Sequence, residues 1–466
     1  MSSQLSAGFM PLEVKEKLPE AMAIPELQAS SVVVDRRRVR YVPSTTQSYT
    51  QSGPNQINIF LSSQSDYMDL QSATLNGKLK IDSLATGTYV ALGDHIASLF
   101  QRARLYIGGT LVEDRNNLGV SVNQEVYTSV PYGHYESAGP MEALMYKFNK
   151  TNFLDLVAPG NTQANINATL LSHGKNQPTA RMPNVYTWET SDGATFSMPL
   201  SYIYGLFRVP KMFPLRNSGV IQISIDIAPQ AQAFVSDSAS STFNWTLSNV
   251  EVKADMITAD PRYVAVIDSL CSDASLGGFK LPINTFQVLN SQISSGSAQR
   301  TVLLSKATRN AKQVLIAFQD QTQNLTKRST DCFNANGFVQ AYLQCGSSRF
   351  PLDPTASYGE AYGYTLDSQH MLGNVIAQPI IDVENYQNVS YTQASVDALA
   401  QCWIWGASLE RLRNEFVSAD GIDTSATGGG NLQYYITSAP SADQTMIASI
   451  EFGEVVHIQA NRVAVI

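Results

Sequence analysis

Charge is scarce in this chain. Only 15% of its 466 residues are Asp, Glu, Lys or Arg, and the formal net charge is −8. That excludes a chain-wide nucleic-acid coat, because neutralising phosphates takes concentrated lysine and arginine. Cysteine is scarcer still: Cys271, Cys332, Cys345 and Cys402 are the only four, all in the second half. Their distribution suits neither a disulfide framework nor a zinc ribbon, so buried reduced thiols are expected. The five histidines, His95, His134, His173, His370 and His457, form no HxH, HxxxH or HExxH pattern. No two imidazoles are therefore predicted to share a face of a strand or helix as metal ligands. Long apolar runs are absent too, and the N-terminus MSSQLSAGFMPLEVKEKLPE has charges of both signs but no apolar signal core. A soluble protein made in a reducing compartment, without a secretion signal, is the expectation. Asn-x-Ser/Thr triplets at Asn149, Asn167, Asn244, Asn324 and Asn388 then read as chance.

Catalytic signatures are missing as well. There is no G-x-S-x-G elbow, and no cysteine sits in a protease context. The glycine run Gly428-Gly429-Gly430 lacks a following Lys-Ser/Thr and opens a strand instead of a helix, so it reads as a turn and not a phosphate cradle. Carboxylate pairs such as Glu113-Asp114 and Glu451-Glu454 could serve a glycosidase, but any acidic chain has such pairs. No catalytic, cofactor or metal residue is assigned, and an enzyme is not expected.

What the chain does contain is strand signal, against a background that is 44% hydrophobic. Ile57, Ile59 and Leu61 alternate with polar neighbours; Leu75, Gly77, Leu79 and Ile81 do the same. Phe243, Trp245 and Leu247 alternate, then Val250, Val252, Ala254 and Met256 continue one step out of phase, which predicts a bulge. Asp94 to Phe100 reads as a helical turn with Asp94 as its cap and Ile96, Leu99 and Phe100 on one face. A second helix is predicted where Val396, Leu399, Ala400 and Trp403 share a face. Long irregular segments, 117–191 and 353–370, read as functional or interface loops; they hold tyrosines such as Tyr127, Tyr132, Tyr135, Tyr358, Tyr362 and Tyr364.

The pattern occurs twice. A strand enters a tight glycine turn at Arg104 to Val112, and again at Tyr342 to Phe350, about half a chain later. Gly219 leads into an alternating strand ending at Ile227, and Gly430 leads into another ending at Ile436. The reading is an N-terminal arm over 1–40, a first all-β module over 41–265 and a second over 266–466. The arm ends in the only dense basic run, Arg36, Arg37, Arg38 and Arg40. Those arginines suit contact with phosphate, acidic protein or lipid headgroups, or else a solvated strand.

This order of elements resembles the double jelly-roll major capsid proteins, of the virophage, Polinton-like virus and adintovirus type. Carrying the resemblance are Ser98-Leu99-Phe100 with Leu105 to Gly109, Leu206 to Pro210 and Pro214-Leu215 running into Gly219, and Gly421-Ile422-Asp423-Thr424. It implies two tandem eight-stranded jelly-roll β-sandwiches with short helices in long loops. It also implies a structural role in the virion, with no cofactor: homotrimers of pseudo-hexagonal outline that meet neighbouring trimers and tile an icosahedral capsid. Penton and minor capsid proteins are the implied partners, with an internal membrane or genome reached through the N-terminal arm and its Arg36 to Arg40 end. The rival reading is a β-sandwich carbohydrate- or receptor-binding attachment protein, which would use the tyrosine-rich loops and bind glycan as a small oligomer.

Overall fold

A computed structural model describes residues 33–53, 55–84, 90–92, 95–143, 193–236, 243–273, 277–296, 298–305, 308, 310–321, 333, 335, 337–372, 379–381, 386, 402–410, 421–424, 432–459 and 462–465. The period-two alternation gives strands with one apolar face, and such faces bury themselves against each other. Eight strands build the two main sheets of the first unit, beside a short ribbon of Val90–Leu92 and Phe234–Ser236: β1 (Val33–Tyr41), β2 (Gln56–Leu61), β3 (Tyr67–Leu84), β4 (Phe100–Ile107), β5 (Thr110–Asn116), β6 (Ala194–Pro199), β7 (Ile221–Ile227) and β8 (Phe243–Ala259). One antiparallel sheet runs β1-β8-β3-β6, with Tyr49–Thr50 added on β8 and Met212–Phe213 on β3; the other runs β2-β7-β4-β5. The second unit has β9 (Phe279–Ile293), β10 (Ala298–Leu304), β11 (Ala311–Asp320), β12 (Gln340–Cys345), β13 (Ser348–Thr355), β14 (Trp405–Ser408), β15 (Leu432–Ser438) and β16 (Gln444–Gln459). Its sheets run β9-β16-β11-β14 and β10-β15-β12-β13, with Arg462–Val465 added on β16. In both units the first strand lies beside the eighth, then the third and sixth, while the second, seventh, fourth and fifth make the other sheet. That is a jelly roll, present twice.

The two repeats seen in the sequence are topological equivalents. Both glycine hairpins join the fourth strand to the fifth, and both later glycines precede the seventh strand. Gly108 and Gly346 turn at φ 56° and 59°, in the left-handed region where a side chain is strained. The bulge in β8 lies between Ser248 and Glu251, with Asn249 at φ 53°. Ile57, Ile59, Leu61, Leu75, Leu79, Trp245, Leu247 and Val252 are all buried, as alternation requires.

Several local readings are corrected. Residues 33–40, placed in the arm by sequence, are strand β1, registered on β8 from Arg36 opposite Ile257 to Tyr41 opposite Val252. An edge strand exposed on both faces carries no apolar period, so its sequence looks like an arm. The cap of the turn Ile96–Leu99 is His95, whose Nδ1 accepts the Ala97 N–H at 2.9 Å; Asp94 lies outside the described residues. The segment from Asn117 contains helix α1 (Leu118–Ser129), buried on nearly every side and therefore without an amphipathic stripe. Asp260 caps α2 (Pro261–Ser272), which joins the two units. The tyrosine-rich stretch contains α3 (Tyr358–Ser368), capped by Ser357. Like α1, it directly follows the fifth strand of its unit. The arm 1–32, residues 396–400 of the second expected helix and the turn 428–430 lie outside the described residues; Trp403, expected on that helix, is buried in non-helical chain just before β14.

Candidate assembly surfaces and the charged seam

Strand β1 carries the only site residues expected from sequence. Their alternation sends Arg36 and Arg38 to one face, where Asp255 bonds both, at 2.7 and 3.2 Å, and Asp69 takes Arg36 at 2.9 Å. Arg37 turns to the buried Asp66 at 2.5 Å, and Arg40 pairs with Glu251. Asp66 also accepts from Ser63 and Thr258. Burial pushes its carboxyl up, but the Arg37, Thr258 and Ser63 hydrogen bonds outweigh that and hold it below the usual range. The four guanidinium groups remain about half exposed, at 54%, 59%, 47% and 56%. All four are thus shared with carboxylates of their own sandwich.

Two broad surfaces lie on the outer faces of the four-stranded sheets. On the first, Ser224 stands between Asn58 and Arg104, and Asp226 between Gln56 and Arg102. On the second, Tyr435 stands between Thr301 and Tyr342, and Thr437 between Gln299 and Gln340. Arg104 and Tyr342 therefore hold equivalent places, as do Arg102 and Gln340. Arg102 forks onto Asp114 at 2.7 and 2.6 Å, and Arg104 reaches both oxygens of Asp226 at 3.0 and 3.1 Å. In the second sandwich the rings of Tyr342 and Tyr435 stack at 4.7 Å with the Arg349 guanidinium 5.0 Å from the Tyr342 ring centre. At the hairpin end of each face an apolar side chain is left half exposed, Phe60 on one and Leu303 on the other.

Between the sandwiches runs a charged seam that sequence reasoning missed. The turn Gly205–Arg208 crosses β9 so closely that a Cβ on Gly205 would stand 1.5 Å from the Asn284 carbonyl oxygen, and only glycine fits. Glu113 holds that turn from β5, accepting the Gly205 and Leu206 N–H groups at 2.8 Å each. Burial pushes its carboxyl up to about 7 against those two bonds and the pull of Arg208 and Arg115. Arg115 donates to Ser121 Oγ at 2.6 Å and to Glu125, and burial pushes it down to about 10. Arg208 meets the other Glu125 oxygen at 2.5 Å, and both guanidinium groups lie over the Phe286 ring of the second sandwich, at 4.6 and 4.9 Å. Gln124 of α1 donates to the Ile447 carbonyl and accepts from Ser449, both on β16. A cavity of about 360 Å³ opens here, walled by Glu125 and Arg208 from one unit and by Phe286, Lys312, Glu410 and Glu451 from the other. The C-terminal strand adds a clasp: the Val463 carbonyl accepts from Thr110 Oγ1 at 3.1 Å.

The carboxylate pairs of the sequence do not face each other. Glu113 points into the seam, while its neighbour Asp114 meets Arg102 outside. Glu451 and Glu454 are an odd number of residues apart on one strand, which sends them to opposite faces. Burial drives the His95 imidazole down to about 3, so it stays neutral; His134 meets Glu142 at 3.0 Å and His370 meets Glu410 at 3.4 Å. Among the described residues no group of three His, Cys, Asp or Glu could hold a metal ion. Cys271, Cys345 and Cys402 are buried, and Cys332 and His173 lie outside the described residues.

No protein-family model and no curated protein matches the chain. Solved structures do. A chain of the Sputnik virophage structure is 11% identical with a TM-score of 0.56, covering 94% of this chain and 89% of its own. The capsid of the virus PBCV-1 gives 12%, 0.54, 92% and 96%, and the Faustovirus major capsid protein 8%, 0.52, 96% and 94%. The chain has the double jelly-roll fold of major capsid proteins. The likeness spans both sandwiches and nearly the full length of each neighbour, so the duplicated strand order is common to them all.

Proposed function

We propose that this chain is the major structural subunit of an icosahedral virus shell. Three copies, each contributing two jelly rolls, form a homotrimer with six lobes, and this pseudo-hexagonal block tiles against its neighbours. The supporting observation is the doubled strand order, one sandwich beside the other across a continuous seam, in a fold shared along its length with capsid proteins. The role is structural, with self-association as the working contact, in the virion. The units are taken as 41–265 and 266–466, with β1 joined to the first. Penton and minor capsid proteins are the further partners. The inner contact, with a membrane or genome, is assigned to residues 1–32 together with Arg36, Arg37, Arg38 and Arg40. Because their own carboxylates already hold these arginines, an acidic partner must displace Asp66, Asp69, Asp255 or Glu251. That makes the contact weak and salt-sensitive.

Light scattering and negative-stain imaging of the purified chain test the reading. A trimer with a six-lobed outline is expected; a strict monomer at micromolar concentration counts decisively against it. Removing residues 1–31 should leave the trimer intact and impair particle assembly.

A further inference from the structure

The seam cavity is lined by charged and neutral polar side chains from both sandwiches, and its charges do not balance. Three carboxylates line it, Glu125, Glu410 and Glu451, against two permanent cations, Arg208 and Lys312, with His370 at the rim beside Glu410. Those groups come from both sandwiches: α1 and the Gly205–Arg208 turn on one side, β11, β16 and the residues after α3 and β14 on the other. Behind the wall lie Arg115 and Glu113, the former bonded to Glu125 and the latter to the turn that carries Arg208. One added positive charge makes the lining neutral. The described residues contain no metal-holding group, and a proton is the smallest charge that fits.

We propose that this cavity is a proton-operated seam: one proton taken up by its carboxylates draws the two sandwiches together, and losing that proton loosens them. Glu451 is the best-placed acceptor. Burial raises its carboxyl, Glu125 and Glu410 push it further the same way, and Arg208 and Lys312 oppose them. A carboxyl raised in the folded state binds its proton more tightly there than in the opened chain. Its stabilising share is complete below the ordinary carboxylate range and is lost as pH climbs through the raised value. Acid therefore tightens this joint, and mild alkali slackens it. In any assembly of the chain, the angle between its two halves stiffens as pH falls.

Hydrogen exchange on the full chain, corrected for intrinsic rates, reads the opening of α1 and of residues 444–452 on β16. One linked proton changes an opening equilibrium by at most about tenfold per pH unit, so protection should fall, by no more than that slope, as pH climbs above the ordinary carboxylate range. Glu451→Gln should remove the Glu451 share of that fall and leave only the share of Glu113, whose carboxyl is raised to about 7 in both chains. Glu410→Gln, which leaves Glu451 in place, should shift the fall to lower pH. Asp114→Asn, on the outer face, should change nothing. Protection that is flat or rises with pH in the unmodified chain overturns the proposal. So does a full pH response surviving in both Gln variants.

Discussion

The outer faces of the two four-stranded sheets share a backbone register and differ in chemistry. Arg104 sits where Tyr342 sits, and Arg102 where Gln340 sits. On the first face every arginine is clamped by a carboxylate of the same sheet, so its charge is spent within the chain. On the second, two stacked tyrosines and a row of amides leave a nearly uncharged surface, the composition that interface cores favour. One strand order thus supports two surfaces, with outward positions that differ and an inward row that is apolar in both. The seam differs from either face, because charged groups of both sandwiches meet there around one cavity.

The largest expected effect lies across the thickness of the first sandwich, at two adjacent carboxylates. Glu113→Ala leaves two buried N–H groups without an acceptor and should cost about 3 to 5 kcal/mol by denaturant titration, whereas Asp114→Ala next to it should cost about 1 or less. Glu113 is raised to about 7 by burial, so its contribution is present at acid pH and lost as pH rises through neutrality. The unmodified chain should therefore lose stability between about pH 5 and about pH 8 by a component that Glu113→Ala lacks. Next comes the contrast between the faces. Tyr342, only 9% exposed, should cost about 3 kcal/mol as Tyr342→Ala, while Arg104→Ala at the equivalent place should cost about 1. Equal losses at both positions would erase the distinction. The smallest effect is ionic: about 0.5 M salt should shrink the cost of Arg104→Ala and leave that of Tyr342→Ala unchanged, since only the first is Coulombic.

Much of the fold was legible because it is local. Period-two alternation at Ile57 to Leu61, the phase slip near Asn249 and the two glycine hairpins each follow from backbone geometry over a few residues. Strand β1 was legible only as one of two readings, arm contact or solvated strand, since an edge strand that buries almost nothing has no apolar rhythm to decide between them. Helix α1 was hidden for the opposite reason: Val120, Val122, Asn123 and Gln124 are all buried, so no polar stripe marks its outside. The carboxylates that hold the basic run were not legible, because Asp69 and Asp255 come from other strands. Nothing near Glu113 or Glu451 in the sequence separates them from other surface acids. Glu113 meets a glycine 92 residues away, and Ser449 meets Gln124 across 325.

By itself, the sequence settled that this is a twice-repeated β chain, because strand period and turn chemistry are set by neighbours within a few residues. Which acids become buried, which arginines are neutralised and how the two copies lock together were decided only in three dimensions. Those outcomes depend on groups far apart in the chain arriving within hydrogen-bonding distance, and local pattern carries no record of that approach.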